Sequence, residues 1–408
     1  MANEMPAVSV IIPMYNVEKY ISETLNSVFA QTLKNFEVIV VDDCSTDNSA
    51  TIVESYISKY KSQIKLIKLQ VNNGNPAIPR NIGLTMSRGK YIFFMDSDDA
   101  IISTALEEMY NLAEKFQADV IYCESYFMSE GVGDTFLKNI RDGGWIQSGT
   151  PVKEPTPITK NLKQRMIDLM NLRISACPPL KFLLRDFLVY NQITFPNFIQ
   201  EDMIWTLKLL CFAQNFVRIP NIVYIRRMRE GSITANSRSF EEYLRKYMES
   251  TIIGAKVTDD FMGKINLFKE NPILRYAILN FYSMLNLQRI ANVSGNIPPQ
   301  SIYEVFKKEF KDHLGENDVL ISYLATNNIM LIKNLMMAQQ KINLLEKKTK
   351  APNVKALIII ERIILNGRYD NQSVHHLKLI LQKLIILTVQ FQKNTTNCPN
   401  ERRNFNGS

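Results

Sequence analysis

Histidine is scarce in this chain: there are three, at 313, 375 and 376. No imidazole is on offer as base or metal ligand before residue 313. The five cysteines, 44, 123, 177, 211 and 398, are scattered, odd in number and never in a CxxC pair. That spacing fits reduced cytosolic thiols better than a disulfide framework. No GxxxxGK[ST] occurs, and no GxGxxG follows the first apolar run, which argues against a kinase-like phosphate cradle and a dinucleotide dehydrogenase. No uncharged apolar run reaches about 18 residues, so no spanning helix is expected. The N-terminus, MANEMPAVSV, has no basic region followed by an apolar one. No signal peptide is therefore expected, and the sequons at Asn292, Asn371, Asn394 and Asn406 carry little weight.

What is present begins with YIFFMDSDD at 91–99. An aromatic, apolar run of this kind suits a strand buried on both faces. It ends in Asp96, Asp98 and Asp99. Ligands of open α/β sheets sit beyond the carboxyl ends of such strands. Closely spaced carboxylates suit a hard dication, Mg²⁺ or Mn²⁺, which can in turn hold a diphosphate. An acidic turn capping the next helix is the plainer alternative. Three further runs, VSVIIP (8–13), FEVIVVDD (36–43) and IKLIKL (64–69), each precede a helix-compatible stretch. Helices are expected near 17–31, 46–60, 79–88 and 103–117. This alternation at βαβ spacing predicts a doubly wound, mostly parallel sheet.

Five segments in order carry a resemblance: VSVIIPMYN (8–16), VVDDCSTDNS (40–49), GNPAIPRNIGL (74–84), DSDD (96–99) and QEDMIW (200–205). Over roughly residues 6–235 the chain resembles glycosyltransferase family 2, the inverting sugar transferases. The resemblance implies a GT-A fold, a nucleotide-sugar donor (most often a UDP-sugar) and a Mn²⁺ or Mg²⁺ ion. It implies Asp98 as metal ligand and Asp96 as its partner nearer the ribose. Pro13, Tyr15 and Asn16 match the nucleotide-cradling loop, and Asp43, with Asp42 beside it, the base- or ribose-contacting aspartate. Arg80 falls where the family places a basic residue near the nucleotide. Asp202 matches the catalytic base, and Glu201 would orient the acceptor or support the base. Arg227 and Arg229, with Ser232 and Thr234, match a segment that can close over the diphosphate. The residue types agree with that chemistry: a metal-held leaving group and one carboxylate base suffice for an in-line displacement. Arginine grips phosphate oxygens bidentately.

Each motif also has a plainer reading. Glu201 and Asp202 open the stretch IWTLKLLCF, read as an amphipathic helix, and acids in a first turn complement its dipole. Asp47 suits a helix cap. Arg80, next to Pro79, can simply be solvated, and the arginines of 224–234 can be an exposed strand end. No Gln-x-x-Arg-Trp occurs, which points away from a processive synthase; the tryptophans are Trp145 and Trp205. A sugar-1-phosphate nucleotidyltransferase would show a Gly-rich loop where this chain has PMYNVEKY. A degenerate transferase kept as a scaffold is the non-enzymatic alternative.

The length suits more than one domain. The expected division is a GT-A domain at 1–235, a mainly helical extension at 236–340 and a basic tail at 341–408. The tail holds twelve Lys/Arg against four Asp/Glu, so it alone accounts for the chain's net charge of +8. Its apolar stretches, ALIIIERIIL and HLKLILQKLIILTVQF, read as amphipathic helices suited to an anionic membrane surface or a partner protein. From about Asn394 the chain reads as disordered. Residues 129–159 read as a mobile loop near the acceptor, with Trp145 either stacking on a sugar or filling a local core. The expected partners are a nucleotide-sugar and a saccharide or lipid-linked acceptor, with a homo-oligomer as a further option and no nucleic acid. The expected setting is cytoplasmic, at the inner face of the membrane if the tail docks there. The expected process is cell-surface polysaccharide, capsule or lipopolysaccharide synthesis, by analogy alone.

Overall fold

The computed structural model describes residues 5–130, 145–146, 151–228, 240–293 and 298–309, with 329 and 337. Arg229, Ser232, Thr234, most of the 129–159 segment and the basic tail lie outside the described residues. The chain divides into two compact units, 1–290 and 291–408.

The first unit opens as β1 (Val8–Met14), α1 (Ile21–Phe29), β2 (Phe36–Asp42), α2 (Ser49–Tyr60), β3 (Ile64–Lys68), α3 (Ala77–Met86) and β4 (Tyr91–Phe94). β1 and β2 are buried along their whole length. β3, whose sequence alternates, is more exposed and forms the sheet edge. After β5 (Ala100–Ile101), α4 (Ala105–Phe116) and β6 (Val120–Cys123) the chain runs through β7 (Ser125–Glu130), β8 (Trp145–Ile146) and β9 (Thr156–Pro157). Then come α5 (Leu162–Met170), β10 (Lys181–Leu184), α6 (Arg185–Tyr190), α7 (Glu201–Phe212), β11 (Phe216–Ile219) and β12 (Tyr224–Met228).

Eight strands form the main sheet in the order β3-β2-β1-β4-β10-β6-β11-β9. β3, β2, β1 and β4 are mutually parallel, while β10 runs antiparallel between β4 and β6. β5, β12, β7 and β8 form a second, four-stranded sheet. Trp145 pairs with Tyr126 in that sheet.

One register detail shapes the site. The Met95 N–H donates to the Ile11 carbonyl at the end of the β1–β4 ladder. In a parallel ladder the next rung would be donated by residue 13. Residue 13 is proline and has no N–H. The pairing therefore stops where the acidic segment begins, and Asp96–Asp99 turn away from the sheet.

Helices α8 (Phe240–Met262), α9 (Asn266–Glu270) and α10 (Pro272–Val293) complete the first unit apart from the last residues of α10. They cover α7, which is buried at Ile204, Trp205, Thr206, Leu207, Leu209 and Leu210. The expectation that α7 is amphipathic is corrected by this covering: its outer side meets α8 and α10 rather than water. The second unit contains α11 (Pro299–Glu309) among its described residues. No helix of the described residues is long and apolar enough to cross a membrane.

Candidate active site

The parallel strands β2, β1 and β4 end side by side, and each delivers polar residues to the same edge. After β1, Asn16 sits at φ 49°, a left-handed conformation that Asn tolerates better than most residues. Its Oδ1 accepts from the Thr46 N–H at 2.8 Å, and its own N–H donates to Ser45 Oγ at 3.0 Å. Asn16 thereby joins the loops after β1 and β2. Asp42 Oδ1 accepts from the Ser45 N–H at 3.1 Å. Asp43, 4% exposed, accepts from the Asn73 N–H and, at 2.6 Å, from Asn73 Nδ2. The acids after β2 thus hold the loops around them. Tyr15 is 46% exposed, an aromatic face at the mouth of the crevice. Asp47 accepts from the N–H groups of Glu18 and Ser49 and braces the start of α2.

The three aspartates after β4 have different surroundings. Asp99 is buried. It accepts from the Tyr224 hydroxyl at 2.6 Å and the Arg227 N–H at 2.7 Å. Burial, then the charges of Asp98 and Asp96, push its pKa well above the usual range. Asp96 Oδ1 accepts from Arg80 Nη2 at 2.9 Å. Burial raises Asp96 too, Arg80 opposes, and the Asp98 charge raises it further. Asp98 is half-buried, and its backbone carbonyl accepts from Arg227 Nε at 2.6 Å.

Arg80 comes from α3 and is 4% exposed. Its second nitrogen, Nη1, donates to Glu201 Oε1 at 3.0 Å, and its guanidinium lies over the Phe195 ring. One buried cation therefore joins the acidic segment after β4 to the first residue of α7. Burial, then the charge of Asp202, push Glu201 up to about 7 in spite of Arg80. Asp202, the next residue, is half-buried. Its carboxylate makes no hydrogen bond or ion pair among the described residues. A left-handed residue, Gln200 at φ 66°, sets the turn into α7. Trp205 then anchors the helix by stacking on Phe195 at 4.5 Å between centroids and meeting Phe94 edge-on.

Of the two described arginines on β12, Arg227 is turned inward. It donates to Glu23 Oε2 at 2.6 Å and lies over Tyr20. Its neighbour Arg226 points the other way, over Tyr126 and within the electrostatic reach of Asp96. Arg226 was not picked out from the sequence, nor was Lys181. Lys181 is fully buried on β10 and donates to the Ser175 and Cys177 carbonyls at 2.6 and 3.0 Å. Burial lowers its pKa to about 8.

Residues 9–177 match the model of Glycosyl transferase family 2. The chain carries a family 2 glycosyltransferase domain. It is 33% identical over 216 residues to poly(ribitol-phosphate) β-N-acetylglucosaminyltransferase TarP of Staphylococcus aureus strain N315, covering 52% of this chain and 60% of that protein. It is 36% identical over 258 residues to the poly(ribitol-phosphate) β-glucosyltransferase of Bacillus spizizenii, covering 62% and 37%. Among solved structures, S. aureus TarS 1–349 superposes with a TM-score of 0.51 and 25% identity, over 78% of this chain and 88% of that one. The architecture is GT-A. The matched stretch spans less than two thirds of each of the two curated relatives.

Proposed function

We propose that this protein is an inverting glycosyltransferase that moves a sugar from a nucleotide-sugar, of the UDP class, to a hydroxyl of a poly(ribitol-phosphate)-type surface polymer. The observation that carries the reading is Asp202: a carboxylate at the start of α7 that is unpaired among the described residues, beside a Glu201 that Arg80 ties to Asp96. A base must be free to accept a proton, and this one is held next to the segment expected to hold the diphosphate.

Asp202 takes the proton from the acceptor hydroxyl. The acceptor oxygen bonds to the anomeric carbon as the bond to the diphosphate oxygen breaks, and the diphosphate leaves with the electron pair. One displacement inverts the anomeric centre. Tyr15 offers a stacking face for the nucleobase. Arg226 offers a positive charge to the leaving group.

The donor set fits a dication. Asp96 and Asp98 are hard oxygen ligands in a region with more carboxylates than cations. No group of three ligating side chains occurs among the described residues. Mg²⁺ and Mn²⁺ are commonly held by one or two carboxylates and completed by substrate phosphates, so two aspartates are enough for such a site. Asp98 and Asp96 would hold it, and when bound it neutralises charge on the departing diphosphate. The names of the two curated relatives support the acceptor: both act on poly(ribitol-phosphate) and differ in the sugar.

The test is turnover of UDP-N-acetylglucosamine and UDP-glucose on a ribitol-phosphate oligomer, with Mn²⁺, for wild type, Asp202→Asn and Asp98→Asn. Asp202→Asn is expected to lower kcat by about 10²–10⁴-fold with UDP affinity kept. Asp98→Asn is expected to abolish the Mn²⁺-dependent rise in Tm with UDP. Wild-type turnover that survives both substitutions refutes the proposal.

A further inference from the structure

The turn that delivers Asp202 is held from two sides, and the second side is the helical extension. The Ile199 carbonyl, three residues before Asp202, accepts from the Ser250 hydroxyl on α8. Ser250 in turn pairs with the Tyr282 hydroxyl on α10 at 3.1 Å, and that hydroxyl also reaches the Ser250 carbonyl at 3.1 Å. Both side chains are at most 1% exposed. Phe198 and Ile204, which flank the turn, form one apolar cluster with the Tyr282 ring. The approach of that ring is built in. A Cβ on Gly254 of α8 would stand 2.1 Å from the Tyr282 hydroxyl and 2.6 Å from Cζ, so only glycine leaves room for it.

The same helix reaches the donor side. Lys246 Nζ donates to the Gly74 carbonyl at 3.3 Å, in the loop whose Asn73 holds Asp43. Asn75 Nδ2 of that loop donates to Asn197 Oδ1 at 2.9 Å. One face of α8 therefore touches both the loop beside Asp43 and the turn before Asp202.

We infer that the α8–α10 helices are part of the catalytic apparatus, with Ser250 and Tyr282 as positioning residues for the Asp202 carboxylate. The inference rests on Asp202 being the base, as proposed above. The alternative role is plain packing of a helical extension against the domain. Geometry separates the two. Packing needs the Tyr282 ring, whereas positioning needs its hydroxyl, because the hydroxyl holds Ser250 against the Ile199 carbonyl. A small displacement of a base costs rate rather than affinity.

The experiment uses the full chain with Tyr282→Phe and Ser250→Ala, each alone and each combined with Asp202→Asn. Circular dichroism and Tm identify the folded fraction. UDP affinity is read by calorimetry, and kcat by transfer. Both single variants are expected to stay folded, to keep the wild-type UDP affinity and to lose about tenfold in kcat. In the Asp202→Asn background they are expected to change the residual rate less than twofold, since a group that acts through Asp202 has nothing left to position. Two results overturn the inference: full wild-type kcat in both folded single variants, or a loss as large without Asp202 as with it. If Asp202→Asn itself leaves turnover unchanged, the base assignment fails first, and this inference fails with it. If it abolishes turnover while both single variants turn over like wild type, the inference alone fails.

Discussion

Replacing Arg80 by Met tests the electrostatic account of the site, because one buried guanidinium serves two carboxylates from distant parts of the chain. Methionine fills much of the volume and removes the charge. Glu201 is 6% exposed, so its partner's loss leaves a buried acid uncompensated. Breaking a buried pair from one side costs about 3–5 kcal/mol where the remaining charge stays ionised, and less where, as here, the acid can take up a proton. Asp96, with a side chain 39% exposed, contributes at most about 1 kcal/mol through its own pair. The two parts depend differently on pH. Glu201 already titrates at about 7 in the fold against 4.5 as a free side chain, and losing Arg80 raises it further. A carboxyl with a raised folded pKa binds its proton more tightly folded than unfolded, so stability falls as pH climbs from the unfolded pKa through the folded one. At pH 5 Glu201 is protonated in both proteins, and the variant is expected to lose about 1 kcal/mol. At pH 8, one unit above the wild-type titration, it is expected to lose about 1.4 kcal/mol more, because its Glu201 stays protonated where the wild-type group is ionised. The total of about 2–2.5 kcal/mol is a drop in Tm of about 5 °C for a domain of this size. Urea unfolding of both proteins at the two pH values measures the difference. Equal losses at pH 5 and pH 8 would refute the argument that Glu201 is the group Arg80 chiefly stabilises. Arg80→Lys is the control: it keeps the charge but not the fork that spans two acids, and its loss should depend less on pH.

Two further outcomes follow from packing and register. Gly89→Ala places a Cβ 2.5 Å from the Ser9 backbone nitrogen and 2.6 Å from the Val8 carbonyl carbon. These atoms belong to a central strand that cannot yield, so a loss of about 1–3 kcal/mol is expected in urea unfolding. Arg226→Gln and Arg227→Gln should separate cleanly when stability and transfer are measured together. Arg227→Gln breaks the buried pair with Glu23 and is expected to destabilise by about 3 kcal/mol. Arg226→Gln is expected to change stability by no more than about 1 kcal/mol while lowering transfer several-fold, and the reverse pattern would place the cleft on the other face of β12.

The sheet was legible because its signal is local. Each apolar run of the first hundred residues became a parallel strand within a residue or two of where the sequence placed it, and the helices between them followed. The acidic segment was legible as a cluster but not in its parts. Three aspartates within four residues look alike until Tyr224 and Arg227, more than a hundred residues away, bury one of them. Arg226 was missed, and the buried setting of Arg227 was not foreseen, for a related reason. Side chains alternate along a strand, so Arg226 and Arg227 differ only in register, and a one-residue slip exchanges their roles. The pairing of Ile225 with Phe127 fixes that register, and nothing within 224–234 contains it. The reading of α7 as amphipathic failed because its covering comes from α8 and α10, whose long-range packing leaves no trace in the IWTLKLLCF pattern itself.

The Glu201–Asp202 pair shows why two adjacent acids are not redundant. Successive residues of a helix point about 100° apart, as the period of 3.6 residues requires. The two carboxylates therefore leave the helix in different directions. Glu201 takes the inward direction, where Arg80 ties it to the segment after β4 and burial keeps it close to neutral. Asp202, half-buried, takes a different direction and makes no hydrogen bond or ion pair among the described residues. The anchor and the base thus come from one dipeptide, and the anchor's cation also holds Asp96. Any movement of Asp202 relative to the expected diphosphate site must therefore stretch the Arg80 bridge on one side or the Ile199–Ser250 bond on the other.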